Sequence, residues 1–357
     1  MGRPRSRGAA GIRFVALLIV AALAGGCIDY GDVVRPLVLR NFTIGLSRTD
    51  PTATVEGKLR FRGGVELRSP DPDFGGLSGL LVSADGKSLV AISDQSHWIN
   101  GTIEYQAGNL VRINGGTIAP MLDLENKPMA DKQGDAEGLA SADEGVMNDL
   151  FVSFEGNHRV WRYAFGKDGV RAKPVNLALP PEALRAPPNA GLEGITRIGD
   201  GELFAVTERF RNRAGNFRAW VLPFQPASCR PGSTSPACSD RAPSPRAIVP
   251  IPPYAMTDIR ELPDGDLLTL ERRYDPVEGV GVQLRRLPWK KEASSGPDHP
   301  LDGEVIARFD TTYEMDNMEG LSIRRDATGK TLVYMVSDDN FNRPLQRTLV
   351  MMFELMP

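Results

Sequence analysis

The sequence predicts an all-β fold, a β-propeller, and three observations carry that prediction. A pattern of about sixty residues recurs five times along the chain. Most copies join two short hydrophobic strands through a Gly-bearing turn, as at Asp85-Gly86, Asp200-Gly201, Asp264-Gly265 and Thr328-Gly329; Gly supplies the positive φ that tight hairpins need. Beyond the first 26 residues no segment carries a long apolar stripe of period 3.6, so no long helix has a face to bury. Self-similarity at a fixed period marks a repeat architecture, and four antiparallel strands in a unit of this length describe a propeller blade.

The copies occupy residues 74–95, 135–156, 189–209, 254–273 and 317–340. Their shared pattern opens on a small residue, an acid and a Gly-Leu or Gly-Ile step, and ends on a hydrophobic strand closed by Ser or Thr and an acid, with single departures such as Ser78 in the first copy and Phe154-Glu155 in the second. Aligned on Gly79, Gly138, Gly194, Asp258 and Gly320, they are spaced by 59, 56, 64 and 62 residues. A third strand is predicted after each copy, at 109–113, 159–165, 218–224, 280–287 and 348–355, and a fourth at 117–124, 174–179, 247–251 and 303–309. The last copy runs out of chain after its third strand. Strands within residues 33–67 are expected to complete that blade, so that N- and C-terminal strands pair and close the ring. They also offer part of a degenerate sixth blade, and length arithmetic leaves five and six blades open.

Composition sets the class. The 357 residues are 41% hydrophobic and 24% charged, as in ordinary globular proteins, which excludes a disordered chain and a polytopic membrane protein. Gly (37) and Pro (28) are in excess, which favours turns over long helices. Three His exclude a His-rich metal centre, and a net charge of -3 gives no electrostatic case for nucleic acid.

Residues 1–26 read as a signal peptide: Arg3, Arg5, Arg7 and Arg13 precede an apolar run over 14–23, then Ala24, Gly25 and Gly26. Leu23-Ala24-Gly25-Gly26-Cys27 resembles a bacterial lipobox with Cys27 as the lipidated residue, although Ala24 stands where Leu is usual; ordinary signal-peptidase cleavage is the alternative. The expected product is an exported bacterial protein, periplasmic or anchored to the outer membrane as a lipoprotein, monomeric, and touching membrane only through its lipid. Residues 27–54 then form an N-terminal segment with the first strand and 55–357 the propeller. Within it 225–247 is an exposed Pro/Ser-rich insertion stapled by a Cys229–Cys238 disulfide. Without the leader the chain has 38 basic and 45 acidic residues, a formal -7.

Those acids fall at two registers of the repeat. The first holds Glu137, Glu193, Asp258 and Glu319, with Ser78 as the exception; the second holds Asp94, Glu155, Glu208, Glu271 and Asp338. Equivalent positions of successive blades gather round one axis, so both sets are expected to ring the mouth of the channel. Converging carboxylates repel, which raises their pKa values. A hard cation relieves that repulsion, and Ca²⁺ takes six to eight oxygen ligands, so bound Ca²⁺ is the expected cofactor. Cations follow the second register: His97, His158 with Arg159, Arg209, Arg272 with Arg273, and Arg343. Acids for metal beside Arg for an oxyanion suit a phosphate ester. The structural alternative is that strand-end acids bond backbone N–H groups or form Glu–Arg bridges between blades. Trp98, Trp161, Trp220 and Trp289 are expected to pack between blades. A nucleophile elbow is missing, since Gly75-Gly76-Leu77-Ser78-Gly79 has the wrong spacing, and HExxH, P-loop and dinucleotide motifs are missing too.

The repeats resemble the phytase-like domain family, "esterase-like activity of phytase". The resemblance rests on Gly76-Leu77-Ser78-Gly79-Leu80 with Ser93-Asp94, and on Asp135-Ala136-Glu137-Gly138-Leu139 with Phe154-Glu155. It continues through Asn189-Ala190-Gly191-Leu192-Glu193-Gly194-Ile195 with Thr207-Glu208, Met256-Thr257-Asp258 with Leu270-Glu271-Arg272, and Asn317-Met318-Glu319-Gly320-Leu321 with Ser337-Asp338-Asp339. It covers residues 55–355 and implies a six-bladed propeller in an exported bacterial protein that acts on small phosphoric or carboxylic esters. The expected function is therefore Ca²⁺-dependent hydrolysis of a phosphoric, phytate-like ester. Glu137, Glu193, Asp258 and Glu319 would hold the metal and an activated water, the second-register acids would add ligands, and His97, Arg159, Arg209, Arg272 and Arg343 would bind substrate. A non-catalytic ligand-binding propeller of the envelope, and a carboxylesterase or lactonase propeller, are the alternatives.

Overall fold

Alternating hydrophobic strands and Gly-bearing turns build five antiparallel sheets, seen in a computed structural model that describes residues 2, 34–129, 134–143, 145–199, 201–224, 241–292 and 296–357. The described strands belong to one unit, Gly31–Pro357. Strands are numbered in chain order. Before the first repeat come β1 (Arg35–Pro36), β2 (Arg40–Ile44), β3 (Val55–Glu56) and β4 (Leu59–Arg68). The first repeat gives β5 (Leu77–Val82), β6 (Ser88–Ser93), β7 (His97–Gln106) and β8 (Asn109–Pro120); the second gives β9 (Ala136–Asp143), β10 (Val146–Phe154), β11 (Arg159–Tyr163) and β12 (Pro174–Leu177). The third gives β13 (Leu192–Arg197), β14 (Glu202–Arg211), β15 (Phe217–Pro223) and β16 (Ser244–Ile248). The fourth gives β17 (Ala255–Glu261), β18 (Leu267–Asp275), β19 (Gly279–Leu287) and β20 (Glu304–Phe309), and the fifth β21 (Asn317–Arg325), β22 (Thr331–Asp338) and β23 (Thr348–Leu355).

Each sheet is a meander whose first strand lies innermost. The inner strands β5, β9, β13, β17 and β21 neighbour one another in that cyclic order, with β21 back against β5. Five hydrophobic clusters fill the five spaces between adjacent sheets. The tryptophans lie there as expected. Trp98 meets Tyr163 edge-on at 5.2 Å, and Trp289 meets Phe204 at 5.2 Å. Trp161 sits in the same cluster as Trp98, and Trp220 packs between the second and third sheets.

The expectation of six blades is corrected to five among the described residues. The N-terminal strands form no sheet of their own because their backbone groups pair with strands of existing blades. β1 adds to the outer edge of the first sheet beside β8, and β2 and β3 flank β4 in the fifth. β4 pairs with β23 from Leu67 against Thr348 to Leu59 against Leu355. In the first blade the predicted third and fourth strands are one strand, β8, and the true third, β7, was overlooked. Gly115-Gly116 lies where the β7–β8 ladder slips register between Ile99 and Gly101. The fourth strand of the third blade is β16, which takes up residues assigned to the end of the insertion. The leader, Cys27 and the Cys229–Cys238 pairing lie outside the described residues.

One ion pair lies where all five inner strands meet. The Arg260 guanidinium donates to the carbonyls of Leu80 (3.3 Å), Leu139 (2.8 Å), Ile195 (2.6 Å) and Ile259 (2.8 Å), on the inner strands of four blades. Its partner Asp258, at 2.8 Å, accepts the N–H of Leu321 on the fifth at 2.8 Å. Removing one member of a buried pair leaves an uncompensated charge, at a cost of about 3–5 kcal/mol. Arg260→Met is therefore expected to lower unfolding stability by ~3–5 kcal/mol, with Asp258→Asn added to it restoring part of the loss. Urea unfolding tests this, and a wild-type midpoint for Arg260→Met would refute it.

Candidate functional site

The inner edge of every blade carries the same local defect. The pairing of first and second strands skips one residue between Leu77 and Gly79, Ala136 and Leu139, Leu192 and Gly194, Met256 and Asp258, and Met318 and Gly320. A β-bulge of this kind re-aims a side chain. The residues at the bulge ahead of the aligned position are Ser78, Glu137, Glu193, Thr257 and Glu319. The aligned position itself is glycine in four blades because the neighbouring inner strand leaves no room. A Cβ at Gly138 would stand 2.3 Å from the Glu193 carbonyl, and one at Gly320 2.9 Å from that of Ser78.

This register corrects the sequence reading of the fourth blade. Asp258 occupies the glycine position, and Thr257 stands where three of the other four blades carry an acid. On the second strand Met256 pairs with Glu271, as Met318 pairs with Ser337 and Leu192 with Thr207. Glu271 is thus equivalent to Ser337 and Thr207, and Arg272 is the counterpart of Asp94, Glu155, Glu208 and Asp338. A slip of one residue turns a side chain to the other face, and both misassigned acids point elsewhere. Asp258 is engaged by Arg260 and by the N–H groups of Ile259 and Leu321; burial pushes its carboxyl up to about 7 while these partners pull it down. Glu271 is buried against Arg285 at 2.7 Å, with Thr269 and Gln283 on its oxygens. For these two acids the structural alternative holds.

The remaining seven acids of the two registers, Glu137, Glu193, Glu319, Asp94, Glu155, Glu208 and Asp338, form one electrostatic group. Burial, then Asp135, Glu319, Glu155 and Asp94, drive Glu137 well above the carboxylate range, and burial with Glu137, Glu155, Glu208 and Glu319 does the same to Glu193. Burial pushes Glu319 up to about 8 with help from Asp338 and Glu208, while Arg272 holds it down. Glu155 rises to about 8, chiefly by burial and against a bond from the Gly191 N–H. Asp94 rises to about 7 by burial and then Asp338, and its Oδ1 is buried without a hydrogen-bond partner. Burial takes Asp338 to about 6. Burial also raises Glu208, with Arg209 and Arg272 opposing. Asp135 and Asp339 adjoin the group and were missed, because neither falls on a repeat register; Asp135 directly precedes the second copy's Ala-Glu-Gly step. Asp135 and Asn340 hold φ of 47° and Phe341 50°, and left-handed non-glycine residues of this kind cluster at functional sites.

Arg272 is the counter-charge inside the ring, 3.1 Å from Glu319 and 3.9 Å from Glu208. Burial opposes its charge, yet Glu319, Glu208, Glu193 and Asp338 raise it above the ordinary Arg value. Arg209 is exposed and 2.9 Å from Glu208. The other predicted substrate cations have contacts of their own. Arg159 lies over the rings of Phe154 and Trp161 at 3.9 and 4.5 Å, and burial lowers it to about 10. With Asp135, Glu155 and Trp161 it lines a hollow of ≈ 470 Å³ beside the ring. His97 turns to Asp73 at 3.8 Å, His158 bonds the Ala186 carbonyl at 2.9 Å, and Arg343 donates to the Phe74 carbonyl at 2.5 Å. Arg273 pairs with Glu278 at 2.9 Å.

The donor set is one of hard oxygens and suits Ca²⁺, with an orphaned buried oxygen on Asp94. Among the described residues no three acidic, imidazole or thiol groups converge on one ligation point as the side chains stand. The raised carboxyls also make stability pH-dependent. Their folded pKa values exceed the unfolded ones near 4, so the folded state binds more protons and stability falls as pH rises from about 4 through about 8. The melting temperature in EDTA is expected to fall between pH 5 and pH 8, with Glu319→Gln flattening the decline. A melting temperature that rises across that range would contradict the shared-charge ring.

The profile of a family described as "Phytase-like: Esterase-like activity of phytase" matches residues 72–341. A search of curated proteins finds no match. Among solved structures, U3-55K is 10% identical with a TM-score of 0.40, covering 87% of this chain and 100% of its own. The Cps50 (Swd1) β-propeller domain of Myceliophteria thermophila is 9% identical, with a TM-score of 0.39 over 88% of this chain and 99% of its own. A glucose dehydrogenase is 13% identical, with a TM-score of 0.36 over 77% and 96%. Likenesses this weak say nothing about activity.

Proposed function

The chain belongs to the phytase-like family, and from that premise we propose that its carboxylate ring is the site of a Ca²⁺-assisted hydrolase of phosphoric esters. One observation carries the reading: seven acids from four blades share a buried mouth with Arg272 and Arg209 as the cations paired to them. Such a group is unfavourable alone and favourable around a hard cation. Glu137, Glu193 and Glu319, with Asp94, Glu155, Glu208 and Asp338, would hold the ion, drawn together from the separation they show without it. When bound, Ca²⁺ supplies Lewis-acid stabilisation of charge on the phosphoryl oxygens.

The chain's own groups supply the rest. Arg272 and Arg209 lie where a phosphoryl group at the ring would find them, and a guanidinium fork matches two of its oxygens. Burial raises the carboxyls of Asp338, to about 6, and Glu319, to about 8, and a bound cation would return those that ligate it to the ionised form. A ring carboxylate would accept a proton from the attacking water as the phosphorus–oxygen bond to the alcohol breaks, and that proton would pass to the departing alkoxide, leaving phosphate and alcohol. Thr257, in the blade that gives no acid to the ring, carries a hydroxyl at the same register, donated to the Leu270 carbonyl at 3.2 Å.

A second reading, a non-catalytic ligand-binding propeller, is favoured by Arg272, which already partly neutralises the ring. Assays with p-nitrophenyl phosphate, phytate, p-nitrophenyl acetate and a lactone, with Ca²⁺ and with EDTA, separate the readings. Phosphatase activity lost in EDTA and lowered at least ~100-fold in Glu319→Gln is expected. Tight Ca²⁺ binding without turnover of any of the four would establish the second reading, and EDTA-insensitive activity in Glu319→Gln would remove the ring from the chemistry.

A further inference from the structure

We propose that the chain carries a separate oxyanion-binding site in a hollow of ≈ 300 Å³ at the rim of the fifth blade, between the β22–β23 loop and the loop that leads into β5. Two buried donors in its lining lack a partner. Thr348 is 2% exposed, and its Oγ1 makes no hydrogen bond within the protein. Arg347 pairs through Nη1 with Glu314 at 2.8 Å and through Nε with Asp316 at 3.7 Å, but its Nη2 is buried and unpartnered. An unsatisfied buried hydroxyl or N–H carries its full desolvation cost, and separate oxygens of an oxyanion in the hollow would offer each an acceptor.

Charge in the lining agrees. Arg68, Arg343 and Arg347 face Glu66 and Asp339. Both acids are already engaged, Glu66 by Arg68 and Asp339 by the N–H groups of Gly76 at 3.0 Å and Phe341 at 3.2 Å. Arg343 is fixed in place by the Phe74 carbonyl and stands 3.8 Å from Asp339. The ligand class is therefore a small oxyanion, free or as the end group of a larger molecule: phosphate, sulfate or carboxylate.

The hollow adjoins the carboxylate ring. Asp339 bonds Gly76 from one side, and Asp94 crowds the same glycine, where a Cβ would stand 2.1 Å from its Oδ1. A ligand held by its oxyanion in the hollow would reach past Gly76 to the ring. That role as a substrate anchor rests on the proposed hydrolase; the anion site itself does not.

The test uses the full chain in EDTA, so that neither metal nor turnover enters. Inorganic phosphate, sulfate and acetate are titrated calorimetrically into the wild type, Thr348→Val, Arg347→Lys and Glu319→Gln. At least one anion is expected to bind the wild type, with affinity reduced about tenfold in Thr348→Val and unchanged in Glu319→Gln. Preference for phosphate and sulfate over acetate would mark a tetrahedral ligand, the reverse a carboxylate. Thr348→Val should melt no lower than the wild type, because it removes an unsatisfied hydroxyl. Should it fail to fold, Arg347→Lys must show the loss instead. Absence of binding by all three anions, wild-type affinity in the folded variants, or a loss confined to Glu319→Gln would overturn the proposal.

Discussion

The Asp258–Arg260 pair is the interaction on which the rest of the molecule is hung. Five strands meeting round an axis expose carbonyls and N–H groups there that no ladder satisfies. One guanidinium takes carbonyls from four of the strands, and one carboxylate takes an N–H from the fifth. The fan of donors on Arg suits this, since five N–H groups in a rigid fork reach several acceptors at once. The pair neutralises itself, so it holds the axis without adding net charge beneath the ring of acids.

Much of this was legible in the sequence. The five repeats, the Gly-bearing hairpins and the hydrophobic strands fixed the class and placed most second and third strands, because strand periodicity and turn chemistry are local. Blade number was not, because pairing of β1 to β4 is a long-range choice that no local pattern declares. In the fourth blade the hydrophobic register held the answer. Met256-Thr257-Asp258-Ile259 aligns with Leu192-Glu193-Gly194-Ile195, which puts Asp258 at the glycine. Matching acid to acid overrode that alignment and hid the substitution of Arg272 for a fifth carboxylate.

The two registers show how one repeat yields two kinds of acid. Where the bulge turns a side chain toward the axis, acids from several blades face each other, and burial with mutual repulsion lifts them towards neutral pH. Where a carboxylate meets its own Arg, as at Glu271 and Arg285, it becomes a bridge between neighbouring strands of one blade. Sequence composition counts both alike, and only the cross-strand register separates them.

The plugged axis has a consequence for traffic. Arg260 spans the centre, so the space above it and the small hollow beneath, ≈ 60 Å³ and bordered by the same guanidinium, do not communicate along the axis. A ligand that reached the ring could not pass along the axis beyond Arg260, and would leave on the side from which it entered.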